Sequence, residues 1–446
     1  MGTGRKIRIS QCMIVKNEEE NIERALSWGK GIMWEQIVVD TGSTDCTVEL
    51  ARKAGAKVCH FPWTDDFAAA KNYAIAQASG EWIALLDADE YMRSEDAEKL
   101  LKVLEQLPHG RFDGISTGWQ QLDDEGRIFS SGTQIRFFRN DPDIRYRRRI
   151  HEQLECISGR ELHVGDVAKE LSIFHTGYQK EAMEKKGKEG RNKRLIRQEL
   201  EDHPDDYEML GYMGDECLAD GEEAQAEDWY RQAVLYMPED VKEDNQRAAV
   251  SFTRLLMLLA DREKTQPEEI LSVYAQAVEA FPKEADFDYI SGRFYAKRGR
   301  AKDAAVYLET AVKKLETYGC SNKALLLAGN LLEAYGLLVK CCYEAGELEK
   351  CVNYGVQYLR YDKYGMDVLS RVLRSLLPGI DEHSFRGQQA NQAVFDFLAK
   401  LYDVKDLKDR LFLVKAARMS DRTDFAAYAA DRLFTPEEQE KFKDYI

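Results

Sequence analysis

The sequence has little of what would indicate a membrane-spanning, secreted or nucleic-acid-binding protein. It has no run of about 18 apolar residues, so no membrane span is expected, and Met1–Ile9 lacks the apolar core of a signal peptide. Its nine cysteines include no C-x-x-C pair, which favours reduced thiols over disulfides or a zinc site. The net charge of −16 disfavours binding to a polyanion. These absences predict a cytoplasmic protein without a nucleic-acid partner.

The chain is long enough for two or three domains, and its composition, with 44% hydrophobic residues among 446, allows sizeable cores. In residues 1–180, short β-branched strands alternate with helical segments. This β-α-β-α order predicts a parallel sheet with helices on both faces. Gly114–Leu122 and Ile128–Phe138 flank an Asp-Asp-Glu-Gly turn and are expected to add antiparallel strands.

Several boundaries in the first half are predicted from local signals. Asn17–Trp28 is predicted to be a helix, and Ser43 or Thr44 is predicted to cap the next one. Residues 181–205, which begin with many lysines and arginines, are expected to form a solvated linker helix.

Residues 206–446 have a helical pattern that repeats. In residues 206–240, small and aromatic residues fall at the offsets of a 34-residue tetratricopeptide unit, and weaker copies follow near Gly292 and Tyr335. The segment around Ile270 keeps only the second half of a unit. Such units stack and present a concave surface, so this domain is expected either to receive a peptide or only to stabilise the first domain. Some proteins of this class self-associate, which leaves a homodimer open. The first unit is carried by Leu210, Gly214, Gly221, Ala226, Tyr230, Ala233 and Pro238.

The strongest local signal is the motif Asp87-Ala88-Asp89. It follows the apolar run Trp82–Leu86, which places both carboxylates at the carboxyl end of a strand, where open α/β sheets bind ligands. Two carboxylates this close, with Glu90 beside them, repel each other unless a cation lies between them. Hard oxygen ligands suit Mg²⁺ or Mn²⁺. Such an ion could bridge the phosphates of a nucleotide sugar.

Three residues nearby suit nucleotide binding, and each has an ordinary structural alternative. Asp40 ends the second predicted strand, where its carboxylate could accept hydrogen bonds from a base or ribose, or could cap a helix. Asp66 begins the next predicted helix, where it complements the helix dipole. Lys71, on the first turns of that helix, could reach a phosphate or lie on the surface.

Two later positions suit acid–base and metal chemistry. Glu152 is the candidate base that deprotonates the acceptor, with His151 as the alternative, although a His-Glu pair is usually structural. His175 offers a neutral imidazole, which is a good ligand for divalent metals and could complete the shell begun by Asp89. Its alternative is a buried, hydrogen-bonded histidine.

Taken together, six segments resemble the motifs of glycosyltransferase family 2, whose catalytic domain has the fold called GT-A. They occur in the family's order within residues 8–178, about two-fifths of the chain. Six segments in order are far more specific than any one of them. The segments are Cys12–Glu18, Val38–Asp45, Asp66–Asn72, Asp87–Asp89, Ile150–Glu152 and Phe174–Tyr178.

The resemblance implies an α/β, Rossmann-like GT-A domain that performs an inverting transfer from a nucleotide-diphosphate sugar, usually a UDP-sugar, with Mg²⁺ or Mn²⁺. It implies that Asp40, Asp66 and Lys71 hold the nucleotide and that Asp87 contacts the ribose. Asp89 and His175 would bind the metal. Lys71-Asn72 stands where the family usually has Arg-Asn. The other implied nucleotide-sugar-binding positions are Ile14, Val15, Asn17, Glu18 and Ala88.

Within the family, the chain most resembles the sublancin-type S-glycosyltransferases, which join such a domain to tetratricopeptide-like helices. Those enzymes glycosylate a cysteine of a ribosomally made peptide, so the resemblance implies a peptide or protein acceptor, with a cysteine thiol as one candidate. One alternative is an enzyme for a cell-envelope glycan or glycolipid that docks through the basic segment Lys180–Arg197. Another is a non-enzymatic scaffold on a degenerate transferase domain.

Overall fold

The structure, a computed structural model, describes residues 7–108, 110–177, 190–319, 325–376 and 385–443. The chain divides into two compact units, Met1–Pro204 and Asp205–Ile446. Within the described ranges, no helix is long and apolar enough to cross a membrane.

The first unit is built around one mostly parallel sheet. In the described ranges its strands are β1 (Ile9–Val15), β2 (Glu35–Asp40), β3 (Lys57–His60), β4 (Trp82–Leu85), β5 (Glu90–Met92), β6 (Gly114–Leu122), β7 (Ile128–Arg139), β8 (Ile144–Arg147), β9 (Gln153–Cys156), β10 (Val164–Asp166) and β11 (Ser172–His175). The main sheet has the order β3-β2-β1-β4-β7-β6-β11-β5, with β10 also paired to β6, and β8 pairs with β9 separately. The four neighbouring strands β3, β2, β1 and β4 are parallel to one another, whereas β7 is antiparallel to both β4 and β6. Both the parallel sheet and its antiparallel additions are confirmed.

Helices cover both faces of this sheet. The described helices of the unit are α1 (Ile22–Ser27), α2 (Thr47–Lys53), α3 (Phe67–Ala76), α4 (Ser94–Gln106) and α5 (Arg191–Asp202). In β4, Trp82 packs in one buried cluster with Leu100 of α4, and the next residue, Ile83, packs in another with Ile75 of α3. Alternate side chains of a strand face opposite sides, so a strand that is apolar throughout must be buried on both.

The first helix is shorter than predicted. α1 begins at Ile22, and Asn17 adopts a left-handed conformation with φ 56°, so the helix cannot begin at residue 17. The side-chain oxygen of Asn17 accepts a hydrogen bond from the Thr44 backbone N–H at 2.8 Å. The side chain thereby ties the loop after β1 to the loop after β2.

The predicted cap of α2 is also wrong. α2 begins at Thr47, after both Ser43 and Thr44, and the Asp45 carboxylate accepts a hydrogen bond from the Thr47 backbone N–H at 3.0 Å. Ser43 instead accepts a hydrogen bond from the Asn17 backbone N–H at 2.9 Å.

Helix α5 is not the solvated segment that was predicted. Leu195 and Ile196 are fully buried, and buried Glu199 accepts a hydrogen bond from the Arg149 backbone N–H at 2.9 Å. α5 is therefore part of the first unit's packing. Residues 180–189, which hold most of the basic segment Lys180–Arg197, lie outside the described residues.

All the regular secondary structure described in the second unit is helical. Its packed helix pairs are consistent with the predicted tetratricopeptide-like repeats. The segment around Ile270 belongs to a full pair, because Gln246–Asp261 packs on Pro267–Ala280. The described helices are Tyr207–Ala219, Glu223–Leu235, Gln246–Asp261, Pro267–Ala280, Asp286–Lys297, Ala301–Tyr318, Leu325–Gly329, Leu331–Glu344, Leu348–Tyr361, Met366–Leu376, Phe385–Leu398, Leu407–Met419, Thr423–Leu433 and Pro436–Lys441.

Gly214 shows why the repeat needs small residues. A Cβ atom on Gly214 would lie 2.6 Å from the ring of Tyr230, which is fully buried on the facing helix. The Tyr230 hydroxyl donates a hydrogen bond to Asp215 at 2.6 Å, so the ring is fixed against the helix that carries Gly214. The two helices can approach this closely only without a side chain at residue 214.

We expect Gly214→Ala to destabilise the second unit, since overpacking a core costs about 1–3 kcal/mol. Gly329→Ala is the matched control, because no atom lies within 4 Å of its added Cβ and alanine favours a helix. Thermal unfolding followed by circular dichroism should show a lower Tm for Gly214→Ala and no loss for Gly329→Ala. Equal Tm values for the two variants would contradict the packing argument.

Candidate active site

The candidate site lies where three parallel strands end. Val15 of β1 is paired with Asp40 of β2, and β4 lies on the other side of β1. After β4 the chain turns through Asp87 and Asp89 into β5. Asp40, Asp87 and Asp89 therefore lie at the carboxyl edge of the sheet, as the position of Asp87-Ala88-Asp89 directly after a strand predicts.

A buried lysine joins two of the predicted carboxylates. Lys71 of α3 is only 3% exposed, and its Nζ lies 3.6 Å from Asp87 Oδ1 and 2.5 Å from Glu152 Oε1. Burial alone would lower the pKa of Lys71, but the negative charges of Asp87 and Glu152 raise it above its ordinary value. Lys71 is thus a charged link between segments 81 residues apart in the chain (residues 71 and 152), and not a surface lysine.

Arg136 provides a second cation that the sequence analysis missed. The register of β6 and β7 shifts between Ile115 and Ser116, which leaves Arg136 without a partner on β6. A β-bulge of this kind redirects a side chain. The guanidinium lies 3.1 Å from Asp87 and 2.7 Å from buried Glu90.

Trp119 links this network to His175. Its indole N–H donates a hydrogen bond to Glu90 Oε1 at 2.8 Å, and its ring lies against the His175 imidazole with centroids 4.9 Å apart. Neither Trp119 nor Arg136 belongs to a recognisable motif. Their positions depend on strand pairing, which explains why the sequence did not reveal them.

Asp89 and His175 form a pair whose chemistry fits a divalent ion. Asp89 Oδ2 lies 3.6 Å from His175 Nε2, and a Cβ on Gly177 would lie 2.4 Å from the first atom and 2.5 Å from the second. Glycine therefore keeps the space between the two donors open. Donors that each lie about 2.0–2.2 Å from one ion can be at most about 4 Å apart, so the pair fits Mg²⁺ or Mn²⁺. The Thr176 N–H donates to the Asp89 carbonyl at 3.0 Å and fixes the spacing of the two segments.

Among the described residues, the ion pairs of this cluster bring four carboxylates and two cations together. The carboxylates are Asp87, Asp89, Glu90 and Glu152, and the cations are Lys71 and Arg136.

A second group of predicted residues surrounds the loops after β1 and β2. The buried Asp40 carboxylate accepts hydrogen bonds from Ser43 N at 2.9 Å and Gly42 N at 3.3 Å, and it lies 3.2 Å from His60 Nδ1. Burial opposes ionisation, but the hydrogen bonds from Ser43, His60 and Gly42 outweigh it and lower the pKa of Asp40. Asp40 therefore holds its own turn, whether or not it also contacts a nucleotide.

The other predicted residues of this group are mostly engaged through their backbone or with neighbours. The Val15 carbonyl accepts hydrogen bonds from Thr41, and Val15 and Ala88 are buried while Ile14 is partly buried. Glu18 accepts a hydrogen bond from the Asn21 side chain at 2.8 Å. Asn17, as described above, joins the two loops.

The segment that carries Glu152 is supported from two sides. Asp66 caps α3 by accepting a hydrogen bond from Ala69 N, and the next residue, Phe67, donates its N–H to the Arg149 carbonyl at 2.8 Å. The Asn72 side chain pairs with both backbone groups of Tyr146, at 2.8 and 2.9 Å.

Two residues of this segment have a strained backbone conformation. Arg148 and His151 have φ values of 73° and 51°, an unfavourable conformation for such residues. Arg149 between them is held by Glu199 of α5 through its backbone and by Asp202 at 2.9 Å through its side chain. α5 therefore supports the loop that ends at Glu152.

One other group in the described part of the chain has metal-binding residue types. Glu309, Cys342 and Glu347 lie close together in the second unit. Lys350 already pairs with Glu309 at 2.9 Å and with Glu347 at 2.8 Å, so their charges are compensated.

Comparison with known proteins gives one family match and several similar chains. Residues 10–160 match the model of glycosyl transferase family 2. The chain is 34% identical over 232 residues to a TPR repeat-containing protein of Synechococcus elongatus, a match that covers 51% of this chain and 56% of that protein. It is 26% identical over 286 residues to the SPbeta prophage-derived glycosyltransferase SunS of Bacillus subtilis, covering 62% and 64%. The chain thus spans less than two thirds of either relative.

Solved structures that resemble the chain include S. aureus TarS 1-349 in complex with UDP-GlcNAc. That match has 17% identity and a TM-score of 0.34, and covers 71% of this chain and 93% of that one. Glucosyl-3-phosphoglycerate synthase from Mycobacterium tuberculosis, with Mn²⁺, UDP and glucosyl-3-phosphoglycerate, matches with 25% identity and a TM-score of 0.21, covering 26% and 44%. The family match, together with the parallel sheet and its carboxylate edge, identifies residues 10–160 as a glycosyl transferase family 2 domain.

Proposed function

We propose that this protein is a metal-dependent glycosyltransferase that moves a sugar, with inversion, from a nucleotide-diphosphate sugar to a peptide or protein. The observation that supports it best is the meeting of Asp87, Asp89, Glu152 and His175, with Lys71 among them, at one edge of a family 2 domain. UDP is the nucleotide that the family resemblance implies.

Asp89 and His175 would hold Mg²⁺ or Mn²⁺. Two protein ligands suffice, because such ions usually keep waters and take substrate phosphates as further ligands. When bound, the ion supplies positive charge that stabilises the leaving diphosphate. Asp40, Asp66, Asp87 and the backbone at the ends of β1 and β4 would contact the nucleoside.

Glu152 is the proposed base, and it would take the proton of the acceptor as the new glycosidic bond forms. Lys71 holds one oxygen of its carboxylate at 2.5 Å, which fixes the orientation of the other. Because its Nζ is paired with both carboxylates, we propose Lys71 as a positioning residue for Glu152 and Asp87, in place of the nucleotide contact that the family resemblance implies. His151, in a strained backbone conformation beside Glu152, stays the alternative base.

For the acceptor, a peptide is favoured by the helical repeats and by the similarity to SunS, and a cysteine thiol is one candidate atom. A cell-envelope glycan or glycolipid is the second candidate, and a non-enzymatic scaffold is the third. We place the protein in the cytoplasm, as a monomer or homodimer. A wild-type protein that neither binds nor hydrolyses any nucleotide sugar would favour the scaffold.

Gly177→Ala should weaken metal binding, because the added methyl group would occupy the space between Asp89 Oδ2 and His175 Nε2. Mutations beside metal ligands typically cost roughly 10–100-fold in metal affinity. Calorimetric titration with MnCl₂ in the presence of UDP measures the loss. Gly165→Ala is the control, since its methyl group would make only ordinary contact with Phe112 at 3.5 Å. Unchanged Mn²⁺ affinity in folded Gly177→Ala protein would exclude this pair as the metal site.

Glu152→Gln should lower turnover by roughly 10²–10⁴-fold, which is the usual contribution of a positioned base. Affinity for the UDP-sugar should stay nearly unchanged. UDP release measures the first quantity and calorimetry the second. Glu155→Gln is the matched control, because Glu155 is 42% exposed and contacts only Arg147 among the ion pairs of the described residues. A large loss of donor affinity would instead make Glu152 a donor contact.

A further inference from the structure

We propose that Tyr146 is a further positioning residue of the site, because its ring holds the buried Lys71 ammonium in place between the two carboxylates that it pairs with. The inference rests on the proposed function and deepens it, since it names the residue through which Lys71, and with it Glu152, is oriented. Tyr146 lies outside the six motif segments, so the sequence gave no reason to single it out.

The Lys71 ammonium lies over the face of the Tyr146 ring. Its Nζ is 5.3 Å from the ring centroid, within the roughly 6 Å over which an aromatic ring attracts a cation. Lys71 is 3% exposed and Tyr146 is 6% exposed, so water screens the contact little. A cation–π contact is stronger when it is removed from water than when it lies on the surface. The ring is therefore a third partner of Lys71, besides Asp87 and Glu152.

The tyrosine presents this face as a neutral phenol. Burial raises the pKa of Tyr146 and outweighs the charge of Lys71, which lowers it. The attraction therefore comes from the electron-rich face of the ring and not from a phenolate charge. Within the described residues, the buried Tyr146 hydroxyl has no hydrogen-bond partner. We accordingly assign the positioning role to the ring.

Two neighbours fix the position of the ring. The Asn72 side chain donates a hydrogen bond to the Tyr146 carbonyl at 2.8 Å and accepts one from the Tyr146 N–H at 2.9 Å. The fully buried Phe138 packs edge to face with the ring, with centroids 6.0 Å apart. Lys71 and Asn72 are adjacent in α3, so one residue meets the ring of Tyr146 and the next holds its backbone. A ring fixed in this way can restrain the flexible side chain of a lysine.

Tyr146 and Glu152 belong to the same hairpin. Strands β8 and β9 are antiparallel, with Tyr146 opposite Leu154, and Glu152 lies in the connection directly before β9. Lys71 therefore contacts the hairpin at two points, the ring of Tyr146 and the carboxylate of Glu152 at 2.5 Å. Two points of contact restrain the direction of the Lys71–Glu152 ion pair more than one does. The ring thus helps to orient the carboxylate oxygen that Lys71 does not hold.

Fluorination of the ring separates this attraction from packing. Fluorine withdraws electron density from the ring face and weakens its attraction for a cation, while the ring keeps nearly the same size. Tyr146→Phe is the reference, and the same substitution is then made with one, two and three fluorine atoms on the ring. Phe137 carries the same fluorine atoms in the matched control. It is fully buried in the same unit, and no cation of the described residues lies over its ring.

The experiment uses the full chain with Mn²⁺ and either UDP-glucose or UDP-GlcNAc, and it measures UDP release. Each fluorine at residue 146 should lower kcat, by roughly tenfold in total, because a misplaced reacting group slows the reaction. KM for the sugar nucleotide should stay within about twofold, since Lys71 orients the base and does not bind the donor. Tm should also fall stepwise, because the buried charge loses part of its compensation. Fluorine at Phe137 should change neither kcat nor KM.

Three results would overturn the inference. In the first, neither kcat nor Tm depends on the number of fluorine atoms at residue 146. In the second, the Phe137 series lowers kcat as much, so that the effect is one of packing. In the third, KM rises while kcat stays constant, which would make Tyr146 part of donor binding. A wild type that neither binds nor hydrolyses either sugar nucleotide would instead refute the proposed function, and the Tm series would still test whether the ring holds Lys71.

Discussion

The ion pairs of Lys71 are the interaction on which the candidate site depends. A lysine that is 3% exposed must be compensated, because an isolated buried charge is very costly. Asp87 and Glu152 provide that compensation, and they come from the end of β4 and from the strained loop before β9. Folding therefore cannot bury Lys71 without also bringing the two carboxylates together. One buried cation thus fixes the separation of a proposed nucleotide contact and a proposed base.

Residues farther from the Lys71 ion pairs also fix the positions of side chains in the site. Arg136 holds Asp87 and Glu90 from β7, and Trp119 connects Glu90 with the His175 ring. On the other side, Glu199 of α5 holds the backbone of Arg149. Each proposed functional group is thereby oriented by a residue that need not contact the substrate. Such orientation is what a transferase requires, since a misplacement of about 1 Å can cost roughly a hundredfold in rate.

The sequence predicted the parts of the fold that depend on local patterns. The apolar run of β4 and the motif after it predicted where Asp87 and Asp89 would lie, and the structure places them at that edge. It could not predict that Lys71 would pair with Glu152, because this contact joins residues 81 positions apart. The role of Arg136 depends on a β-bulge, and that of α5 on packing at Leu195 and Ile196. Both are properties of tertiary structure that leave no periodic signal.

We propose that the carboxyl edge of the sheet binds a nucleotide sugar through a metal ion held by Asp89. The most direct measurement is a thermal-shift series of wild type and Asp89→Asn with UDP-sugars, each with and without Mn²⁺. A ligand that binds only the folded state raises Tm by mass action. We expect a rise in Tm for wild type that requires Mn²⁺ and is lost in a folded Asp89→Asn variant. An equal rise without Mn²⁺, or an undiminished rise in Asp89→Asn, would contradict it.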